Sequence, residues 1–370
     1  MADAPTETPA APTTTGGNGL SRSDYRVLGL AAVGTAAAGI IRYAVGVGTA
    51  GFIVAGVALA LLASTVGRSV EGLGTRLGAG ATGVVQSALG NLPELFVAIF
   101  ALRKGLNTVV QATIVGSILS NLLLVLGLAF IAGGLKHGPQ KFDAATARSI
   151  MTLLLLAVST LLVPTLAHSL HTPAAAHLSN LSTICAVVLL VVFVLSVPES
   201  IRRKEHEEGG PGEHESRWAL SWAIGVLAGA GAAAALVSDW FVASLEPAIE
   251  TLHISQAFAG LVIVAIAGNA VENVVGIQLA YRGRPEYALP LVLYSPLQIA
   301  LALAPTLVLL SHVIGAPQVL TLDLGPLLAA ELALAMIVTT VVVNDGESTW
   351  LEGVTLVGLY VVLAAGFWWG

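Results

Sequence analysis

The chain has 370 residues, 56% of them hydrophobic and only 10% charged, with a formal net charge of −6 and a mean hydropathy of +0.86. A soluble domain carries about 25% charged residues, so this composition excludes a soluble enzyme or a nucleic-acid-binding module. It describes a polytopic membrane protein whose surroundings are the lipid bilayer.

Residues 1–24 are rich in Ala, Pro, Thr and Gly and are expected to form a disordered tail. No basic segment running into an apolar stretch and a cleavage site marks an ordinary signal peptide there. Apolar spans of about 20 residues follow, each long enough to cross a membrane as a helix. They fall at 27–46, 49–69, 79–102, 108–133, 145–168, 178–198, 217–240, 255–280, 286–312, 323–343 and 350–369, eleven in all. With the N-terminus cytoplasmic, thirteen of the sixteen basic residues fall on the cytoplasmic side, leaving Arg42, Arg103 and Lys104 opposite. That is the bias of an integral, multi-pass protein with its C-terminus on the other side of the membrane, the plasma membrane in a bacterium. The stretch 201–216 is polar and Gly-rich. It reads as a solvated cytoplasmic hinge in preference to a cation-sensing segment.

Two of the spans carry the same motif. Gly90-Asn91-Leu92-Pro93-Glu94 and Gly268-Asn269-Ala270-Val271-Glu272 share the frame Gly-Asn-x-x-Glu, with the glutamates 178 residues apart. At that offset Val97 meets Val275, Ile99 meets Ile277, Gly105 meets Gly283, Ser117 meets Ser295 and Ser120 meets Gln298. An ionised carboxylate inside a bilayer is costly, so a repeated one is a functional site by default. Repeats with Gly/Pro-interrupted helices at the midplane are a common plan of secondary transporters. The two motif spans are the third and the eighth, five places apart, so they cross in opposite directions. The fold expected is therefore all-α, with an extra N-terminal helix (25–46) and two inverted five-helix repeats (47–200 and 217–370).

A hard divalent cation such as Ca²⁺ takes six to eight oxygen ligands in flexible geometry. Glu94 and Glu272 would neutralise it as the metal-binding acids, and the amide oxygens of Asn91 and Asn269 would add to the set. Gly90 and Gly268 let the helices open, and Pro93 weakens the backbone ladder. Ser117, Ser120 and Asn121 in one span, with Ser295 and Gln298 in its counterpart, are placed to line the same cavity, together with Gln111 and Asn273. Without a metal the two glutamates repel each other and take up protons, and Ca²⁺ would expel them. The same acids then hold a cation or protons, which is the requirement for exchange.

No thiolate or histidine cluster accompanies the carboxylates, and no nucleophile sits beside a base. Soft-metal chemistry and enzymatic catalysis are therefore not expected, nor is any cofactor beyond the transported Ca²⁺. Cys185 has no disulfide partner. Of the other acids, Glu71, Asp239 and Glu246 read as interfacial, and Glu331 lies deeper.

These residues carry a family resemblance. Gly90-Asn91-Leu92-Pro93-Glu94, Val109-Val110-Gln111-Ala112 and the run Gly116-Ser117-Ile118-Leu119-Ser120-Asn121 resemble the first signature of the Ca²⁺/H⁺ exchangers, the CAX branch of the Ca²⁺/cation antiporter superfamily. Gly268-Asn269-Ala270-Val271-Glu272, Gln298-Ile299-Ala300-Leu301 and Asp345-Gly346-Glu347-Ser348 extend it. The resemblance covers residues 25–370. It implies eleven helices, Ca²⁺ and H⁺ as substrates, and Glu94 and Glu272 as the acids that bind them. Two positions depart from the family: Asn273 stands where His is usual, and Tyr294-Ser295-Pro296 where Gly-Ser-Ser is usual. Na⁺- or K⁺-coupled Ca²⁺ exchange and a passive cation channel remain alternatives on sequence grounds.

Overall fold

The computed structural model describes residues 21–207 and 219–369, without the side chains of 71, 72, 74–88, 197–207, 271 and 272. Most of the expected tail and residues 208–216 of the expected linker lie outside these residues, and the linker's first part, 201–207, is helical rather than a hinge, because it continues the helix Leu178–Glu207. Ser21 is the N-cap of the first helix, accepting from the Asp24 amide in a capping box.

A backbone in hydrocarbon must close its own hydrogen bonds, and helix dominates accordingly. In chain order the helices are α1 (Arg22–Ile40), α2 (Thr49–Leu89), α3 (Leu92–Arg103), α4 (Asn107–Leu119), α5 (Leu126–His137), α6 (Ala144–Ser169) and α7 (Leu178–Glu207). The second half holds α8 (Leu220–Leu252), α9 (Gln256–Phe258), α10 (Ala265–Gly268), α11 (Ala270–Tyr281), α12 (Pro285–Gln298), α13 (Ala304–Ser311), α14 (Pro326–Val342) and α15 (Trp350–Gly366). π-helical turns at Ser120–Val125, Ala259–Val264 and Ile299–Leu303 join α4 to α5, α9 to α10 and α12 to α13. Two short strands, β1 (Gln140–Lys141) and β2 (Glu347–Ser348), pair antiparallel.

Among the described residues seven helices are long and apolar enough to cross a bilayer, and a pair bent by 61° around Asn269 makes up to eight. The eleven expected spans do not all return as full-length helices. α14 and α15 have 17 residues each, and α3 has 12 because the chain breaks at Gly90-Asn91. The turn expected between 69 and 79 is also absent, since α2 is helical throughout its 41 residues. The helix runs on through Gly72, Gly74 and Gly78.

The 178-residue repeat reappears in the backbone. α3 and α11 are each 12 residues long and begin and end at equivalent positions. Their N-caps match in dihedrals: Asn91 has φ −94°, ψ 21°, and Asn269 has φ −88°, ψ 17°. Each helix then leads into a glycine in the left-handed region, Gly105 at φ 77° and Gly283 at φ 72°. Other residues adopt that conformation only with strain, which explains the Gly/Gly match. The π turn at Ser120–Val125 likewise has its counterpart at Ile299–Leu303.

The centre of the protein is α4–α5, the most buried of the apolar spans, followed by α12–α13. From Val109 to Leu119 every residue of α4 but Gln111 is buried. The helix crosses the turn at Ala259–Val264 backbone to backbone. A methyl on Gly116 would overlap the Leu261 main chain, and one on Gly260 would come 2.5 Å from Val109 O and 2.9 Å from Ala112 Cβ. Close approach through small residues is a usual way for membrane helices to associate. Gly116→Val is expected to destabilise the protein by about 3 kcal/mol or more, because backbone cannot yield as a side chain does. A large fall in melting temperature in detergent checks this.

Loop contacts fall into two sets. In one, β1 pairs with β2, Lys141 meets Glu347 at 2.9 Å, His137 Nε2 lies 3.0 Å from Tyr281 O, and Arg68 meets Asp24 at 2.8 Å. In the other, Lys104 Nζ donates to Val242 O at 3.3 Å, His168 meets Asp323 at 2.6 Å, and the Ser255 hydroxyl donates to Phe367 O. Asp143 caps α6, accepting from the amides of Ala145 and Thr146, each at 3.0 Å, and from the Thr146 hydroxyl. The Thr146 hydroxyl first, then the Ala145 amide, hold its carboxyl below the ordinary range. Its contribution is therefore present above the unfolded-state value and is lost as pH falls through the depressed one. Asp143→Ala is expected to cost about 1 kcal/mol at neutral pH. Melting curves should show the mutant and wild type converging in acid.

Candidate cation site

Both motif glutamates occupy the third position of a helix capped by asparagine. In α3 the order is Leu92, Pro93, Glu94, with Pro93 in the first turn, where its missing N–H leaves no bond unmade. The positive end of the helix dipole supports a negative side chain there. Glu94 is only 3% exposed. Its carboxyl packs directly on Gly268 of the other repeat. A methyl on that glycine would lie 2.6 Å from Glu94 Cγ and 2.9 Å from Cδ and Oε1. The fold thus brings the two Gly-Asn-x-x-Glu segments together at Glu94 and Gly268. Glu272 shares the backbone geometry of Glu94 through α11, and its side chain lies outside the described residues.

Asn269 is fully buried and bonds to both halves. Its Nδ2 donates to Ser117 Oγ and to Ala265 O, both at 3.0 Å. Its Oδ1 accepts from Asn121 Nδ2 at 3.3 Å and from Ser295 Oγ at 3.2 Å. Asn121 Nδ2 also donates to Ser117 O at 2.8 Å, and Ser120 Oγ to the same carbonyl at 3.2 Å. Asn121 Oδ1 and Asn273 Oδ1 are buried and accept no hydrogen bond from the described residues. Both are neutral oxygens of the kind a hard cation accepts. Asn91 is buried one helical turn before Glu94, beside Gly90 in the break between α2 and α3. Gln298 lies half-buried at the end of α12.

Gln111 is tied elsewhere, its Nε2 donating to Thr321 O at 2.9 Å. The structure therefore joins Ser117, Asn121, Asn269 and Ser295 in one network with Glu94 against it, and gives Gln111 to the loop after α13. Sequence reading missed Thr339 of α14, which is fully buried and donates to Leu122 O in the π turn at 3.4 Å. A lone threonine in an apolar helix offers little signal. Asp345-Gly346-Glu347-Ser348 forms the strand clasp to β1, with Gly346 at φ 79° accepting from Phe142 N. Glu331 is buried on α14, with Oε1 3.6 Å from where a methyl on Gly366 would lie.

Residues 47–199 and 222–369 match the family described as sodium/calcium exchanger protein. Among curated relatives, a Ca(2+)/H(+) antiporter of Synechocystis sp. is 34% identical over 337 residues, covering 85% of this chain and 90% of the relative. The Ca(2+)/H(+) antiporter ChaA of Bacillus subtilis is 34% identical over 328 residues, covering 85% and 91%. The solved structure of native YfkE superposes with a TM-score of 0.79 at 31% identity, covering 92% of this chain and 99% of that one.

Proposed function

The chain belongs to the sodium/calcium exchanger protein family, and from that membership we propose that it is a secondary transporter exchanging Ca²⁺ for H⁺ across a membrane. The observation that carries this reading is the buried Glu94 carboxyl seated on Gly268 of the opposite repeat, beside the Asn269 network. A buried acid flanked by neutral amide and hydroxyl oxygens suits a hard divalent cation.

Glu94 and Glu272 are the acids that bind the cation or the protons. Two carboxylates in a low-dielectric site stay ionised together only when a cation neutralises them, and otherwise they protonate. A carrier that changes its facing only in a neutralised state must then return with protons after releasing Ca²⁺. Asn91, Asn121, Asn273 and Gln298 supply neutral oxygens, and the breaks at Gly90 and Gly268 supply main-chain carbonyls.

The proposed architecture is two inverted five-helix repeats, 47–200 and 217–370, after one additional helix, crossing the bilayer eleven times with the N-terminus cytoplasmic. The two sets of loop contacts support it. Asp24, Arg68, His137, Lys141, Tyr281 and Glu347 all fall on the cytoplasmic side of that topology, and Lys104, Val242, His168, Asp323, Ser255 and Phe367 on the opposite side. An odd error in the count between any contacting pair would place its members on opposite faces. The matched breaks at Asn91 and Asn269 support the repeat, since inversion sets both at similar depth.

The test is transport in sealed vesicles of purified protein with an imposed pH gradient and no Na⁺ or K⁺. Ca²⁺ uptake accompanied by proton efflux is expected. Uptake that begins only when Na⁺ or K⁺ is supplied would assign a different coupling ion, in keeping with Asn273 where the related exchangers usually have His. Flux indifferent to all three gradients would indicate a channel.

A further inference from the structure

We infer that the two motif asparagines have different tasks: Asn91 is free to ligate the cation, whereas Asn269 is a positioning residue whose amide pins the two repeats together. This deepens the exchange reading and rests on it.

A carboxamide has two N–H donors and two acceptor lone pairs. At Asn269 all four are used, by Ser117 Oγ, Ala265 O, Asn121 Nδ2 and Ser295 Oγ. The Ala265 carbonyl only accepts, so it fixes which end of the amide is nitrogen. For Oδ1 to coordinate Ca²⁺, a buried donor of Asn121 or Ser295 would have to let go and remain unpaired. Asn91, at the same place in the first repeat, makes no such network with the described residues, although its backbone geometry is the same.

The network has a further consequence. Asn121 gives its amide nitrogen to Asn269 and to Ser117 O, which leaves its Oδ1 buried without a donor among the described residues. Asn269 thereby orients Asn121, from the first repeat, as an oxygen donor. Ser295 completes the clamp from α12, and it sits in the Tyr294-Ser295-Pro296 stretch that departs from the related exchangers. The second repeat thus contributes its motif asparagine as a fixed pin, whereas the motif asparagine of the first repeat is the ligand.

The test compares substitutions at the two asparagines, using the full-length protein, Ca²⁺ alone as the binding probe in detergent, and exchange in vesicles. Aspartate keeps an oxygen ligand but cannot donate to Ala265 O. Asn91→Ala, which removes the oxygen ligand, is expected to raise the KM for Ca²⁺ about tenfold, whereas Asn269→Asp and Asn269→Ala should fail alike, cutting turnover roughly tenfold or more with KM within about threefold. Should those variants fail to fold, Ser295→Ala removes one donor without touching the amide. It is expected to lower turnover with KM unchanged, and Ser295→Thr should restore it.

Two results would overturn the inference. One is Asn269→Asp binding Ca²⁺ at least as tightly as wild type while Asn269→Ala raises KM tenfold. The other is Ser295→Ala tightening Ca²⁺ binding, as it would if it released a ligand. A wild-type protein that binds Ca²⁺ without moving protons defeats the exchange reading alone, because the binding comparison still decides the role of Asn269.

Discussion

Glu94→Gln is expected to abolish Ca²⁺-driven proton movement, lowering exchange by roughly 100-fold or more, since even outer residues of metal sites typically cost 10–100-fold. The substitution preserves volume and hydrogen-bonding length but removes the charge. Glutamine offers Ca²⁺ one neutral oxygen where a carboxylate offers two charged ones, and it has no proton to exchange. Glu94 is buried against Gly268, so the lost charge falls inside the site and not at a solvated surface. Folding should survive, because burying a neutral amide costs less than burying a charge of the same volume. A normal melting curve with no Ca²⁺ uptake across a pH gradient is the expected pair of results. Full uptake in the mutant would remove Glu94 from the mechanism.

Gly268→Ala is the second. The added methyl would sit 2.6 Å from Glu94 Cγ and 2.9 Å from Oε1, closer than real contacts permit. The obstruction is a flexible side chain, so the helices need not separate. The carboxyl must instead move by several tenths of an ångström or swing to another rotamer. Displacements of about 1 Å at a reacting group can cost 10²-fold, and a loss of about tenfold to a hundredfold in turnover is expected here. Gly358→Ala is the control, since a methyl there meets nothing within 4 Å. Initial rates in vesicles, measured for both variants beside wild type, check the prediction. Unimpaired exchange by Gly268→Ala would mean that the contact between Glu94 and the second repeat does not set the site's geometry.

The features most legible in the sequence were those dictated by backbone chemistry. Gly-Asn-x-x-Glu marks a helix break followed by a carboxylate at the third helical position, and both copies fold that way. Gly105 and Gly283 matched because both need a left-handed backbone. Helix length was less legible. The gap expected between the spans 49–69 and 79–102 is instead helical, so α2 runs from the first into the second. Side-chain roles within the site were least legible. Asn91 and Asn269 have the same chemistry and the same local frame, and only the three-dimensional position of Ser117, Asn121 and Ser295 separates them. Gln111 lies within the family-like run but serves the Thr321 carbonyl, a partner 210 residues away that no local pattern announces.

The claim on which the account stands is that one pair of carboxylates holds either Ca²⁺ or protons. The most direct measurement adds Ca²⁺ to the purified protein in weakly buffered detergent solution and counts the protons released with a pH-sensitive dye. The account predicts release of about one to two protons per Ca²⁺ bound, since a metal must displace protons from its ligands, falling as each of Glu94 and Glu272 is changed to Gln. Ca²⁺ binding of undiminished affinity with no proton released, in wild type as in the mutants, would contradict it.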